Sequence, residues 1–139
     1  MIRIIAGEKG KGKTKYLLEK VNMEVKSASG SIVYLDKSTK HMYELSNKVR
    51  LICVPDYMIS NSDEFFGFLS GIISQDHDLE EMYLDSFLTI ASLTDDKICD
   101  IIEKLESLSE SFHVNFVLSV SKNKAELPEC IQHKIIVSL

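Results

Sequence analysis

The stretch GEKGKGKT, residues 7 to 14, holds three glycines and three lysines. It follows the apolar run MIRIIA at residues 1 to 6 and precedes a segment with apolar residues at helical spacing, residues 13 to 26. Glycines let the backbone curl so that successive N–H groups point inward, and the first N–H groups of a helix have no partner within the helix. A buried strand, this turn and a helix therefore predict a nest of N–H groups that binds phosphate.

The turn also matches the pattern G-x-x-x-x-G-K-[ST] through Gly7, Gly12, Lys13 and Thr14. In this pattern the lysine reaches the β- and γ-phosphates of a nucleoside triphosphate, and the hydroxyl group offers a ligand to Mg²⁺. We therefore predict Lys13 as a catalytic cation and Thr14 as a metal ligand. The predicted nucleotide-binding residues are Gly7, Glu8, Lys9, Gly10, Lys11, Gly12, Lys13, Thr14 and Lys15. The alternative is a glycine-rich turn without a ligand.

A carboxylate that helps to hold the metal is also expected, at the end of a buried strand. Met82-Tyr83-Leu84-Asp85 has this form, with apolar residues followed by one carboxylate. We predict that Asp85 holds Mg²⁺ through a water molecule. The alternative is that Asp85 caps a turn or pairs with a lysine.

The rest of the chain alternates between apolar runs and amphipathic segments. We predict strands at residues 2–6, 32–35, 49–54, 82–88, 114–120 and 133–138, and helices at 13–26 and 40–47, after the N-cap Ser62 and after the N-cap Thr94. Continuous apolar strands alternating with helices are typical of a mostly parallel sheet covered on both faces. The predicted fold is an α/β, three-layer α/β/α sandwich that forms one domain over residues 1–139.

Composition limits the classes of function. The net charge of -5 argues against a general nucleic-acid binder, which usually carries a basic face. Three widely spaced cysteines suggest neither a disulfide framework nor a zinc site, and we expect Cys53 and Cys99 to be buried thiols. No segment approaches the roughly 20 apolar residues of a membrane span. We therefore expect a cytoplasmic protein, with the acidic cluster at residues 76–81 in a solvated loop.

With these motifs in this order, most of the chain resembles the RecA-like branch of P-loop ATPases. GEKGKGKT is similar to the Walker A loop and MYLDS, residues 82–86, to the Walker B strand. IVYLDKS, residues 32–38, is similar to the second strand of that branch, LICVPD, residues 51–56, to its third strand, and ELPECIQHKIIVSL, residues 126–139, to its closing strands. The resemblance implies a RecA-like core that binds ATP with Mg²⁺, often hydrolyses it, and often works as an oligomer.

Hydrolysis needs a group that orients the attacking water. The resemblance implies a glutamate at the end of the second strand, but Ser38 stands at that position. Asp36 is the nearest carboxylate, and we predict it as the catalytic base. Ser86 follows Asp85, so an adjacent glutamate is missing there too, and we expect hydrolysis to be slow or to depend on a partner.

Three functions remain open. The first is a small ATP-binding protein with slow ATPase activity. The second is a nucleoside or nucleotide kinase of the thymidine kinase type, in which Asp36 would be the base for an acceptor hydroxyl. The third is a nucleotide-dependent module that does not hydrolyse ATP and binds a partner protein, with the aromatic residues at 65–68 as one candidate surface.

Overall fold

A computed structural model describes all 139 residues of the chain. Six strands form one sheet: β1 (Ile2–Ala6), β2 (Ser31–Asp36), β3 (Val49–Cys53), β4 (Leu79–Leu84), β5 (Asn115–Val120) and β6 (Ile135–Ser138). The order across the sheet is β3-β2-β4-β5-β1-β6, and every neighbouring pair is parallel. The predicted α/β fold with a mostly parallel sheet is confirmed.

Four helices connect and cover these strands: α1 (Lys13–Glu24), α2 (Ser62–Gln75), α3 (Phe87–Ile90) and α4 (Ile98–Phe112). Short 3₁₀ turns fill several of the remaining connections, at Met42–Glu44, Val54–Tyr57, Asp95–Lys97, Lys124–Glu126 and Glu129–Lys134.

The core lies on both faces of the sheet because successive strand residues point to opposite sides. On β1, Ile4 belongs to a cluster of 26 buried residues that takes in the apolar sides of α2, α3 and α4. The next residue, Ile5, belongs to a separate cluster of nine, to which α1 contributes Leu17 and Val21. The sheet therefore separates α1 from the other helices.

All six strands end at the same edge of the sheet because they are parallel. The turn at residues 7–14 follows β1 at this edge, Asp36 ends β2, and Asp85 directly follows β4. The topology therefore brings the three predicted site segments to one side of the molecule, as expected for a parallel sheet whose ligands bind beyond its carboxyl ends.

Helix starts differ by a few residues from those predicted. Asn61 caps α2, and its Oδ1 accepts a hydrogen bond from the Glu64 N–H at 2.9 Å, so Ser62 is the first helical residue and not the cap. A 3₁₀ turn separates Thr94 from α4. The predicted helix at 40–47 is a single 3₁₀ turn, Met42–Glu44.

The fourth strand begins and ends earlier than predicted, at Leu79–Leu84 and not at 82–88. Its first half includes Glu81, which is buried and not part of a solvated loop. Burial, together with the charge of Glu24 at the end of α1, raises the pKa of Glu81, whereas the charge of Lys20 lowers it. The acidic residues at 76–81 predicted a loop and not a strand. Glu81 is an exception because it faces the last turns of α1 instead of water.

The cysteine prediction is also wrong in part. Cys99 and Cys130 form a disulfide that links α4 to the 3₁₀ turn before β6, and Cys53 alone is free and half-buried. Reducing enzymes and glutathione keep such pairs open in the cytosol, so the disulfide weighs against the predicted cytoplasmic location.

Candidate nucleotide-binding site

The turn after β1 has the backbone geometry that its glycines predict. Gly10 and Gly12 have φ angles of +86° and +91°, a region that side chains disfavour. Helix α1 begins at Lys13, directly after Gly12, with no side-chain cap. The N–H groups of Gly10, Gly12, Lys13 and Thr14 have no acceptor in the protein. They are free to bind an anion at the positive end of α1.

The loop is held in place by the neighbouring strand end. The Gly7 N–H donates to the carbonyl of Lys122 at 2.8 Å and to that of Val120 at 3.3 Å. The side-chain amide of Asn123 donates to the Glu8 carboxylate at 2.8 Å. These bonds tie the start of the loop to the segment that follows β5.

Lys13 is buried at the start of α1, although its residue type usually reaches solvent. Its ammonium group donates to the carbonyl oxygen of Glu8 at 2.9 Å. Burial lowers the pKa of Lys13, the charge of Asp85 raises it, and the charge of Lys37 lowers it further. The loop therefore holds a desolvated cation close to the mouth of the N–H nest.

Asp85 is buried and rigidly oriented. Its Oδ2 accepts a hydrogen bond from the Tyr34 hydroxyl at 2.8 Å, and its Oδ1 accepts one from the Ser119 hydroxyl at 2.7 Å. Ser119 in turn accepts the N–H of Ser86 at 2.8 Å, and Ser86 has a left-handed φ of 56°. Strained backbone of this kind is often found at functional sites. The arrangement fixes the carboxylate while leaving each oxygen a further lone pair.

Asp36 lies beside Asp85, because the Asp85 N–H donates to the carbonyl of Leu35 at 2.9 Å. Its Oδ1 accepts the Lys37 N–H at 2.7 Å, whereas its Oδ2 is buried and has no partner. Burial raises the pKa of Asp36, and the charge of Asp85 adds to this, while the Lys37 bond opposes it. A buried oxygen without a partner in the protein is unusual, and it remains available to accept a hydrogen bond at the cavity that Asp36 lines.

These groups line one cavity of about 450 Å³ with no apolar residue in its wall. Of the predicted residues it brings together Lys9, Gly10, Gly12, Lys13, Thr14, Asp36 and Asp85. The predicted residues Gly7, Glu8, Lys11 and Lys15 do not line it. Gly7 is buried, whereas Lys11 and Lys15 are exposed.

The cavity has a second wall that the sequence analysis did not predict. It consists of Lys37, Ser38, Lys40 and His41, from the segment between β2 and β3 (residues 37–48, the β2–β3 loop). The sequence did contain a signal for this wall. In the run DKSTKH, residues 36–41, two lysines and a histidine follow the carboxylate that ends a buried strand.

Two tyrosines and two strand-end serines lie near the candidate site or on the surface, and only Ser121 lines the cavity. Tyr34 is fully buried beneath Asp85 and is not free to stack on a base, whereas Tyr43 is 92% exposed. Ser119 holds Asp85, and Ser121 at the end of β5 lines the cavity.

The protein offers part of a metal's ligand set at this cavity. No three histidine, cysteine, aspartate or glutamate side chains cluster as a complete set of metal ligands anywhere in the chain. Thr14 and Asp85 both line the cavity and are oxygen donors of the kind that Mg²⁺ prefers. Mg²⁺ usually binds through one or two protein oxygens, waters and substrate phosphates, so the donor set fits that ion.

Comparison with known proteins identifies a similar fold but no family. No protein-family model matches the sequence, and no curated protein sequence is significantly similar to it. Among solved structures, the chain is similar to the flagellar accessory protein FlaH from Methanocaldococcus jannaschii, with 15% identity and a TM-score of 0.54. The alignment covers 95% of this chain and 65% of FlaH, so the chain spans less than two thirds of that protein. At this identity the similarity shows a shared α/β fold.

No helix in the structure combines the length and the apolar character needed to cross a membrane.

Proposed function

We propose that this chain is a P-loop protein of the RecA-like branch that binds Mg-ATP. In this proposal residues 1–139 form one nucleotide-binding domain, a three-layer α/β/α sandwich. The proposal is carried by one arrangement: unpaired N–H groups after β1 and the buried Lys13 share a wholly polar cavity with two carboxylates. The likeness to FlaH supports the fold on which this rests.

Each residue has a defined task in this proposal. The N–H groups of Gly10, Gly12, Lys13 and Thr14 bind phosphate oxygens. Lys13 exchanges its bond to the Glu8 carbonyl for one to the β- and γ-phosphates. Thr14 binds Mg²⁺ directly, and Asp85 binds it through water. When bound, Mg²⁺ neutralises charge on the phosphates.

Asp36 is the proposed catalytic base. Its Oδ2 has no partner in the protein and is buried, so it becomes an acceptor for the proton of a nucleophile when the β2–β3 loop shifts. The raised pKa of Asp36 makes it a better base than an exposed aspartate. Slow hydrolysis is expected, because the only other carboxylate that lines the cavity, Asp85, is assigned to the Mg²⁺ shell and not to the attacking water.

A phosphotransferase is the second candidate, because Asp36 could also act as the base for an acceptor hydroxyl. An acceptor hydroxyl can donate to Asp36 Oδ2 as well as water can, and the β2–β3 loop gives the cavity a wall beyond the phosphate-binding loop. Phosphate transfer from ATP to any member of a nucleoside panel favours this candidate over the ATPase.

The third candidate, a nucleotide-dependent interaction module, cannot use the aromatic residues at 65–68 as its binding surface. Phe65 is fully buried, and Phe66 and Phe68 pack against the main core, so this aromatic segment is not an exposed patch. Partner binding or self-association of this protein therefore needs another surface. A nucleic-acid ligand is not supported by the net charge of -5.

Nucleotide binding tests the proposal directly. Titration calorimetry with Mg-ATP, Mg-GTP and Mg-ADP should detect binding to the wild type, and Lys13→Ala should weaken ATP binding by about a hundredfold or more, because it removes one partner of a buried charge pair. GTP is included because the preference for adenine rests on the resemblance alone.

Lys26→Ala is the matched control, since Lys26 is exposed just beyond the last turn of α1, far from the cavity. Thermal unfolding without nucleotide checks that Lys13→Ala still folds. A wild type that binds no nucleotide, or a folded Lys13→Ala variant with unchanged affinity, would exclude the proposed site.

A further inference from the structure

The charges around the cavity are not balanced. Four lysines line it, Lys9, Lys13, Lys37 and Lys40, against the two aspartates Asp36 and Asp85. Lys13 and Asp85 belong to the phosphate-binding machinery described above. The excess of positive charge lies partly on the β2–β3 loop, which no known motif assigns to nucleotide binding.

Lys37 is the lysine of that loop with the best-defined position. Its N–H donates to Asp36 Oδ1 at 2.7 Å, so its backbone is fixed at the end of β2. Its ammonium group forms no hydrogen bond or ion pair, in contrast to lysines such as Lys122 and Lys134, which pair with acidic side chains. Lys37 is therefore an exposed cation at the cavity whose ammonium group has no hydrogen-bonded partner, with the charge of Asp36 nearby.

The charge of Lys37 also reaches Lys13, whose pKa it lowers. Two cations that converge on one polar cavity repel each other, and a negatively charged ligand between them removes that repulsion. The partnerless Asp36 Oδ2 beside them can accept only from a donor, so it fits a water or hydroxyl group next to the ligand and not the phosphate itself.

The sheet order limits what that ligand can be. The phosphate-binding loop follows β1 and Lys37 follows β2, and two strands, β5 and β4, lie between them. A single phosphate in the N–H nest is too short to contact Lys37 across two strands, whereas an extended chain of phosphates is long enough. The contact made by Lys37 is therefore expected at the end of that chain.

We propose that Lys37 binds the terminal phosphoryl group of a nucleoside triphosphate and makes the site prefer triphosphates over diphosphates. This inference rests on the proposed function, because it requires the N–H nest to hold the other phosphates. The two arginines, Arg3 in β1 and Arg50 in β3, do not line the cavity.

The test compares two ligands on four proteins. Dissociation constants for Mg-ADP and for a Mg-bound, slowly hydrolysed ATP analogue are measured on wild type, Lys37→Ala, Lys37→Arg and Lys48→Ala. Lys37→Ala should weaken binding of the triphosphate analogue about ten- to hundredfold, the range for a lost hydrogen bond to a charged group, and change ADP binding less than about twofold. Lys37→Arg should retain most of the preference.

Lys48→Ala is the control, because Lys48 is an exposed lysine of the same loop outside the cavity wall. It should leave both affinities unchanged. Equal losses for both nucleotides in Lys37→Ala, or no loss for either, overturn the inference and leave the proposed function intact. A wild type that binds neither nucleotide overturns both.

Discussion

The two walls of the cavity are built by different means. The phosphate-binding loop presents backbone N–H groups, and hydrogen bonds to the segment after β5 hold its first residue, Gly7. The β2–β3 loop presents side chains, and a single side chain of α1 holds its middle: Asn22 donates to the carbonyl of Glu44 at 2.8 Å and accepts the Ser46 N–H at 2.9 Å.

This difference bears on both stability and function. Backbone groups tied to central strands open only when the core opens. A loop held by the two Asn22 hydrogen bonds and by the packing of Leu45 opens locally at lower free energy. We therefore expect the phosphate-binding wall to be preformed and the β2–β3 loop to adjust when a ligand arrives. The following predictions test that contrast.

The largest effect is expected from the disulfide, which secures the C-terminal segment beside the phosphate-binding wall. Leu139 packs against Gly7, its N–H donates to the Ala6 carbonyl at 2.8 Å, and Cys130 ties the segment to α4. The bridged residues are 31 apart, and closing a loop of that length stabilises a protein by about 3.5 kcal/mol in the chain-entropy model.

The double variant Cys99→Ser, Cys130→Ser should lose about that much free energy of unfolding in guanidinium titrations. Wild type in a thiol reductant should behave in the same way, and Cys53→Ser, which changes the free cysteine, is the control. The folded, reduced protein should still bind ADP, because the bonds from Gly7 to the segment after β5 remain. Identical unfolding of wild type with and without reductant would contradict the prediction.

The contrast between the walls also explains what the sequence could predict. The glycine-rich turn, the strand before it and the helix after it follow from local patterns, and these patterns fix φ angles and free N–H groups within about eight residues. The parallel sheet followed from the alternation of strands and helices. Each of these depends on neighbours in the chain.

Features that depend on contacts between distant segments were missed. The pairing of Tyr34 with Asp85 joins β2 to β4, and the disulfide joins α4 to the C-terminal turn. The burial of Glu81 requires knowing that the end of α1 covers the start of β4. Lys37 gained a role in our proposal only when the sheet order placed it at the same cavity as Lys13.

A smaller effect is expected at the anchor of the β2–β3 loop. Asn22→Ala removes both hydrogen bonds that tie Glu44 and Ser46 to α1, at a cost of about 1 to 2 kcal/mol. Native-state hydrogen exchange should show faster exchange at the Ser46 amide, with amides of β1 and β5 nearly unchanged. Met23→Ala, at a 71% exposed position of the same helix, is the control. Unchanged protection at Ser46 would mean that the loop has another anchor.

The smallest effect on the free energy of unfolding is expected from Asp36, which directly precedes the β2–β3 loop. Its replacement should stabilise the protein, whereas replacement of Asp85 should destabilise it. The folded protein raises the pKa of Asp36 above its ordinary value of 3.8, so it binds this proton more tightly than the unfolded chain. The stability that Asp36 contributes is therefore fully present below that ordinary value and is lost as pH rises through the raised pKa. Asp36→Asn should remove the loss.

At neutral pH the Asp36→Asn variant should be more stable than wild type by about 1 kcal/mol, the lower end of the cost of an unsatisfied buried group. The difference should shrink on acidification, when the wild-type carboxyl is protonated. Asp85→Asn is the matched comparison: both Asp85 oxygens accept hydrogen bonds, so placing an amide NH₂ against the Tyr34 or Ser119 hydroxyl should lower stability. Denaturant unfolding across pH measures both variants.

Turnover separates stability from function at Asp36. If its free oxygen accepts a proton from water or from an acceptor hydroxyl, Asp36→Asn should hold nucleotide as wild type does and lose most of its phosphoryl transfer. Asp36 would then lower the stability of the protein without nucleotide and still be needed for the reaction. Such destabilising groups are expected at functional sites. Wild-type turnover in Asp36→Asn would remove Asp36 from the reaction, and a destabilised variant would mean that its free oxygen has a partner in solution.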